Sequence, residues 1–183
     1  MIDASQVSCV IVTRGNVDLS EIKASLPFED VVVWNNSECN EIVYGRYRGV
    51  EQARHDVIAV QDDDAIIEDW PAILAAYEPG VIACNMGDAH RAFYKPMNIA
   101  LVGFGAIFHR SLIRPALERY TRRFPEDELF KRECDRVFTG LNRLKVLTVP
   151  YRNLPHEETT QRMWREPQHV NDLTEIRRRI AAL

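Results

Sequence analysis

At 183 residues, 46% of them apolar, the chain has the length of one domain able to bury a sizeable core. A net charge of -4 gives no general polyanion signature and argues against a nucleic-acid binder driven by bulk electrostatics, though not against one with a local basic face. Arg162, Arg165, Arg177, Arg178 and Arg179 load the C-terminal end. Cys9, Cys39, Cys84 and Cys134 lie far apart without zinc-type spacing and read as reduced thiols, Cys9 and Cys84 as small core residues. No signal-like segment opens the sequence and no apolar run approaches a membrane span, so the expected location is cytoplasmic.

In chain order, Val7 to Thr13 reads as a short apolar strand, and Arg14-Gly15-Asn16 turns away from its end. Asp18 or Ser20 caps a helix running to Ser25, stopped by Pro27. Val31 to Trp34 is a second strand, closed by Asn35-Asn36-Ser37, and Glu41 to Tyr44 suits a third, shorter one. Gly45 to Arg54 is a loop entering a helix. It leads into Val57-Ile58-Ala59-Val60-Gln61-Asp62-Asp63-Asp64, an apolar strand running straight into three carboxylates.

Asp69 caps the next helix, with Pro71 in its first turn, and Pro79-Gly80 ends it. Val81 to Asn85 is strand-like. Asn98 to His109 is apolar and carries Gly103 and Gly105, positions suited to a bend or a close approach. Leu112 to Tyr120 and Glu126 to Leu141 are helices, the second turning Leu129, Phe130, Val137 and Phe138 to the core. Val146 to Val149 is the last expected strand, and after Pro150 the chain is polar until a terminal helix from about Asp172 to Ala182.

Strands alternating with helices predict an α/β layered fold with a mostly parallel sheet. Ligands of such sheets sit beyond the carboxyl ends of the strands, where Thr13-Arg14-Gly15, Asn35-Asn36 and Asp62-Asp63-Asp64 converge. Unpaired carboxylates are too costly to bury, so the triplet belongs around a cation such as magnesium or manganese, or else caps a helix. On an extended backbone Asp62 and Asp64 point the same way: Asp64 is the better metal ligand, and Asp62 meets a ribose or a metal-bound water. Asp63 is counted with the nucleotide-binding group.

Thr13, Arg14, Asn35 and Asn36 suit a nucleotide's base, ribose and phosphates, and equally suit turns. Arg46 and Arg48 flank Tyr47 before a helix, where guanidinium forks bind phosphate or form a solvated face. His156 is a candidate late metal ligand or plain polar surface. In the second acidic region Asp127 and Asp135 lie two helical turns apart on roughly one face, so that one of them could orient or deprotonate a hydroxyl, with helix-start enrichment accounting for Asp127 but not Asp135.

These pieces together resemble the GT-A glycosyltransferases, most closely the exostosin-type C-terminal transferase domain. The likeness rests on Val31-Val32-Val33-Trp34-Asn35-Asn36, Arg46-Tyr47-Arg48, Val60-Gln61-Asp62-Asp63-Asp64, Ala100-Leu101-Val102-Gly103 with Ala106-Ile107-Phe108, Glu133-Cys134-Asp135, and Met163-Trp164-Arg165-Glu166-Pro167-Gln168-His169, in the family's order across roughly residues 7 to 170. It implies a GT-A-like three-layer α/β/α sandwich over 1-183, with 151-183 completing the site. It further implies a manganese- or magnesium-dependent transferase moving a sugar from a UDP-sugar to a hydroxyl acceptor, with retention.

Carried over by position, Asp64 holds the metal and Asp62 faces the ribose. Asn35, Arg46 and Arg48 contact the nucleotide, and Asp135 lies at the reaction centre. Where the family has a second Asp this chain has Arg136, which would move that role to Asp127 or Glu133. Arg165 stands one place before the family's diphosphate-binding arginine. The competing expectations are a nucleotidyltransferase of the same architecture and a sugar-nucleotide-binding module without turnover. A glycan, a small molecule or hydroxylated phage-type DNA are the candidate acceptors, nucleic acid being the less favoured.

Overall fold

The computed structural model describes residues 2-87, 98-154 and 168-183. A six-stranded sheet forms its centre, built from β1 (Val7–Thr13), β2 (Asp30–Asn35), β3 (Val57–Asp62), β5 (Val81–Asn85), β6 (Ala106–His109) and β7 (Arg143–Leu147). Their order is β2-β1-β3-β6-β5-β7. β1 pairs parallel with β2 and β3, and β5 parallel with β7; β6 alone runs antiparallel, between β3 and β5. A separate two-stranded ribbon joins β4 (Ala65–Ile67) to β8 (Tyr151–Asn153). The expected α/β class with a mostly parallel sheet is therefore the one observed.

Near-continuous apolar runs make β1 and β3 the buried centre, as strands covered on both faces require. Their period of two divides the core. Val10, Ile58 and Val60 face one layer, with Phe108, Phe130, Phe138 and Ile176. Cys9, Ile11 and Ala59 face the other, with Ile22, Trp70 and Ile73. The first layer is built by α2 (Gly45–Gln52), α4 (Ile113–Thr121), α5 (Glu128–Gly140) and α6 (His169–Ala181), and the second by α1 (Ser20–Ser25) and α3 (Trp70–Ala75). Asp69 caps α3 as expected, accepting from the Ala72 amide at 3.0 Å. Cys9 and Cys84 are fully buried. No helix among the described residues is long and apolar enough to cross a membrane.

Three expectations need correction, and two short strands went unannounced. Glu41 to Tyr44 is not a strand: Ile42–Tyr44 forms a 3-10 turn, drawn back onto the β2 exit by the Asn36 side chain. Of Asn98 to His109 only Ala106–His109 is a strand, because Gly105, at φ 95°, breaks the extended run. The last sheet strand is Arg143–Leu147 rather than Val146 to Val149: as an edge strand it leaves Arg143 and Lys145 exposed, so apolarity does not mark its start. The short strands β4 and β8 carry no period that would announce them.

Phe138 ties α5 to the sheet, fully buried with its ring 4.9 Å from Phe108 and 5.5 Å from Tyr47, edge to face. Phe138→Ala is expected to cost about 3–5 kcal/mol in urea denaturation.

Candidate active site

The register sets the geometry. Thr13 pairs with Asn35 across β1 and β2, and Val12 with Asp62 across β1 and β3, so three polar strand exits end at one level of the sheet. Thr13 is buried, and its Oγ1 accepts from the Gly15 amide at 3.1 Å while its carbonyl accepts from the Asn36 amide at 2.8 Å. Arg14 is exposed beside it. Asn35 is exposed, and its Oδ1 accepts from the Ser37 amide at 2.9 Å, an Asx turn.

Asn36, expected to meet a nucleotide, is instead buried and committed to the fold. Its Oδ1 accepts from Trp34 Nε1 at 3.0 Å and the Glu41 amide at 3.1 Å, and its Nδ2 donates to the Ile42 carbonyl at 2.8 Å.

Asp62 ends β3, and Asp63-Asp64 turn the chain into β4, so strand alternation stops before Asp64. Gln61 closes this turn with a 2.6 Å bond from its side-chain amide to the Ala65 carbonyl, and the Asp64 carbonyl accepts from the Leu154 amide at 2.8 Å. All three carboxylates are half-buried, at the mouth rather than in the core. The Asp62 amide donates to the Gly103 carbonyl at 2.8 Å, and a Cβ on Gly103 would run into the Asp62 carboxylate. This is the close approach that a glycine at 103 permits. Burial pushes Asp62 up to about 7; Arg46 pulls against it, and Asp64, Asp135 and Asp63 add to the rise.

Behind Asp62 lies a buried ionic cluster. The Arg46 guanidinium, 2% exposed, donates through one Nη to Asp62 and through the other to Asp135. Tyr47 Oη donates to the second oxygen of Asp135 at 2.9 Å. Burial opposes the charge on Arg46, but Asp135 and Asp62 outweigh it and raise its pKa. Burial, with Asp135 next, holds the Tyr47 phenol well above its ordinary value, so it stays a donor.

Two expectations change with this arrangement. Arg46 faces carboxylates of its own chain rather than an incoming phosphate. Asp135, 7% exposed with both oxygens engaged, is a partner inside the fold rather than a carboxylate open to substrate. Arg48 stays at the surface side of α2, its guanidinium 5.1 Å from the Tyr44 ring centre and 3.5 Å from Glu51.

Asp127 and Asp135 have different partners. Asp127 is the N-cap of α5, accepting from the Phe130 amide at 2.9 Å, and it accepts from Arg179 at 2.9 Å. This is the helix-capping role that the sequence offered as the alternative. Glu133 is buried against Arg136 on the same helix. His156 and Arg165 lie outside the described residues, as do Met163 and Trp164.

Among the described residues no group of three or more His, Cys, Asp or Glu side chains stands ready to hold a metal unaided. Half-buried carboxylates at a strand exit nevertheless fit magnesium or manganese, which take one or two carboxylates and complete their shell with water and phosphate. Tyr47 is the participant that sequence reasoning passed over. Its only signal was its place between two arginines at the start of a helix.

No protein-family model matches the chain, and comparison with the curated proteins finds no match either.

Replacing Arg46 with Met leaves the buried Asp135, and beside it Asp62, without a counter-charge. The expected loss is about 3–5 kcal/mol by chemical denaturation at pH 7. A second prediction concerns acid. Arg178 and Arg179 hold the Glu175 carboxyl down to about 2, below its ordinary value. A depressed carboxyl stabilises the fold above the unfolded-state pKa near 4.5 and loses that contribution as pH falls through about 2. Glu175→Gln is therefore expected to flatten the stability curve between these values.

Proposed function

We propose that the chain is a metal-dependent glycosyltransferase of GT-A-like fold. It moves a sugar from a nucleoside-diphosphate sugar, with uridine favoured, to a hydroxyl acceptor with retention of configuration. The single observation that carries this reading is the convergence of Asp62-Asp63-Asp64 with the exits of β1 and β2 at the carboxyl edge of the parallel half of the sheet. Open α/β sheets bind nucleotides at such edges. The order of motifs along the chain adds the sugar.

In this reading Asp64 and Asp62 would hold manganese or magnesium. When bound, the ion supplies positive charge against the leaving diphosphate. Arg14, exposed at the β1 exit, would meet a phosphate, and the exposed Asn35 amide a ribose or base edge. Thr13 lies buried behind them and keeps the Gly15 amide aligned. Arg48 supplies a further surface cation on the same side as Tyr44.

A thermal-shift panel of nucleoside diphosphates and sugar nucleotides, with and without manganese, tests the donor class. At a hundredfold excess over the dissociation constant a true ligand adds about 2.7 kcal/mol. Asp64→Ala is expected to abolish manganese-dependent hydrolysis or transfer of the sugar nucleotide in a folded protein. Undiminished turnover in that variant would remove the metal assignment.

A second reading, a sugar-nucleotide-binding module without turnover, is favoured by one observation. Asp135, the carboxylate expected at the reaction centre, has both oxygens occupied inside the protein. Calorimetric binding of a sugar nucleotide with no product across an acceptor screen would select it.

A further inference from the structure

We infer that Arg46, Asp135 and Tyr47 form a positioning relay that fixes Asp62 from behind, and that neither Arg46 nor Asp135 touches the sugar nucleotide. The inference rests on the nucleotide-site reading above and gives these residues a task within it.

The contacts run in one line through three elements. Tyr47 Oη donates to Asp135 Oδ1 at 2.9 Å, Arg46 Nη1 donates to Asp135 Oδ2, and Arg46 Nη2 donates to Asp62 Oδ1. α2 supplies Arg46 and Tyr47, α5 supplies Asp135, and β3 supplies Asp62. Arg46, Tyr47 and Asp135 are buried, whereas the Asp62 side chain keeps 32% of its surface. A ligand arriving at the strand exits therefore meets Asp62, and the other three residues stand behind it. Arg46 is 2% exposed and spends its Nη atoms on two carboxylates, one of them in the core, and a phosphate that displaced either would leave buried charge unpaired.

Asp62 needs this support. Asp63 and Asp64 adjoin it, and like charges drive a side chain toward other rotamers. Arg46 supplies the counter-charge from one side, while the Gly103 backbone, bonded to the Asp62 amide, closes the other. A carboxylate already held in one rotamer loses little entropy when a cation or ribose engages it. The planar fork reaches the two carboxylates with separate nitrogens, a geometry that the single ammonium nitrogen of lysine does not reproduce. Tyr47, packed edge to face on Phe138, fixes Asp135 in turn.

The experiment titrates manganese with UDP, a pair that binds without reacting, into wild type, Arg46→Lys, Asp135→Asn and Tyr47→Phe by calorimetry. The melting temperature of each is recorded without ligand. Arg46→Lys and Asp135→Asn are expected to lose about 10–100-fold in affinity, as outer-shell partners of metal ligands do. Tyr47→Phe, which removes one hydroxyl and leaves the core filled, is expected to weaken binding in the same direction by less. It carries the test should Asp135→Asn fail to fold.

Folded variants that bind manganese and UDP like wild type would overturn the relay, whether turnover survives or not. Lost turnover with intact binding would return Asp135 to the reaction centre. Wild type that binds neither UDP nor any other nucleoside diphosphate with manganese would instead overturn the nucleotide-site reading itself.

Discussion

A buried arginine held between two carboxylates is the constraint around which this molecule is arranged. Removing a guanidinium from water costs several kcal/mol unless its charge is countered, and Arg46 meets Asp135 with one arm and Asp62 with the other, while its Nε stays buried without a partner. To make this possible α2 must start directly beneath the β3 exit, and α5 must cross that layer with Asp135 facing it. Gly45, Gly49 and Tyr47 allow the first condition. The α2 backbone lies against Trp34 and Val10 with no room for a Cβ at either glycine, and Tyr47 packs against Phe138. Phe130 and Phe138, filling the core on either side of Asp135, meet the second.

α5 shows how far polar pairing goes in this layer. Arg132, Glu133, Asp135 and Arg136 are all buried along one thirteen-residue helix, which an apolar period alone would not permit. Arg132 reaches Asp172 on α6 at 3.4 Å, and Lys131, at the helix's outer side, reaches Glu41 at 2.6 Å. Asp127 draws Arg179 toward the start of the helix, where Tyr120 accepts from the same guanidinium at 2.9 Å. The arginines of the C-terminal helix are thus partly spent on holding it in place: Arg179 bonds Glu175, Tyr120 and Asp127, and Arg178 bonds Glu175. That use fits a packed helix better than a surface reserved for nucleic acid.

How much of this was legible follows from the range of each interaction. β1 and β3 declare themselves because strands buried on both faces must be apolar throughout, and α3 because Asp69 and Pro71 are local signals. The triplet was legible as a strand exit for the same reason. Asp135 and Arg46 were each visible as charged residues, but they meet across 89 positions of sequence, and no spacing rule reports such a pair. Transferring roles by motif therefore set Arg46 and Asp135 facing outward, whereas the fold turns them toward each other. Asn36 misled in a related way: an amide suited to a base edge is equally suited to satisfying a turn, and in this chain the turn claims it.

Asn36 belongs to a wider pattern that explains why the carboxyl edge of the sheet is rigid enough to carry a site. Loops that run over strand ends bring backbone groups out of reach of water, and each needs a partner. Three amide side chains, one at each of three strand exits, supply them. Asn36 serves Glu41 and Ile42 beyond β2, and Gln61 serves Ala65 beyond β3. Asn85, buried at the end of β5, donates to the Phe104 and Val149 carbonyls and accepts from the Val149 amide at 2.7 Å. An amide donates and accepts through separate atoms, so Asn85 binds two passing segments of backbone at once, whereas Gln61 only donates and its Oε1 is buried without a partner. Asn85 in particular fastens the segment that carries Gly103 over Asp62. The break in the strand pattern before Ala106 follows from this: a regular strand through residues 98-105 would carry side chains where the Asp62 carboxylate requires bare backbone.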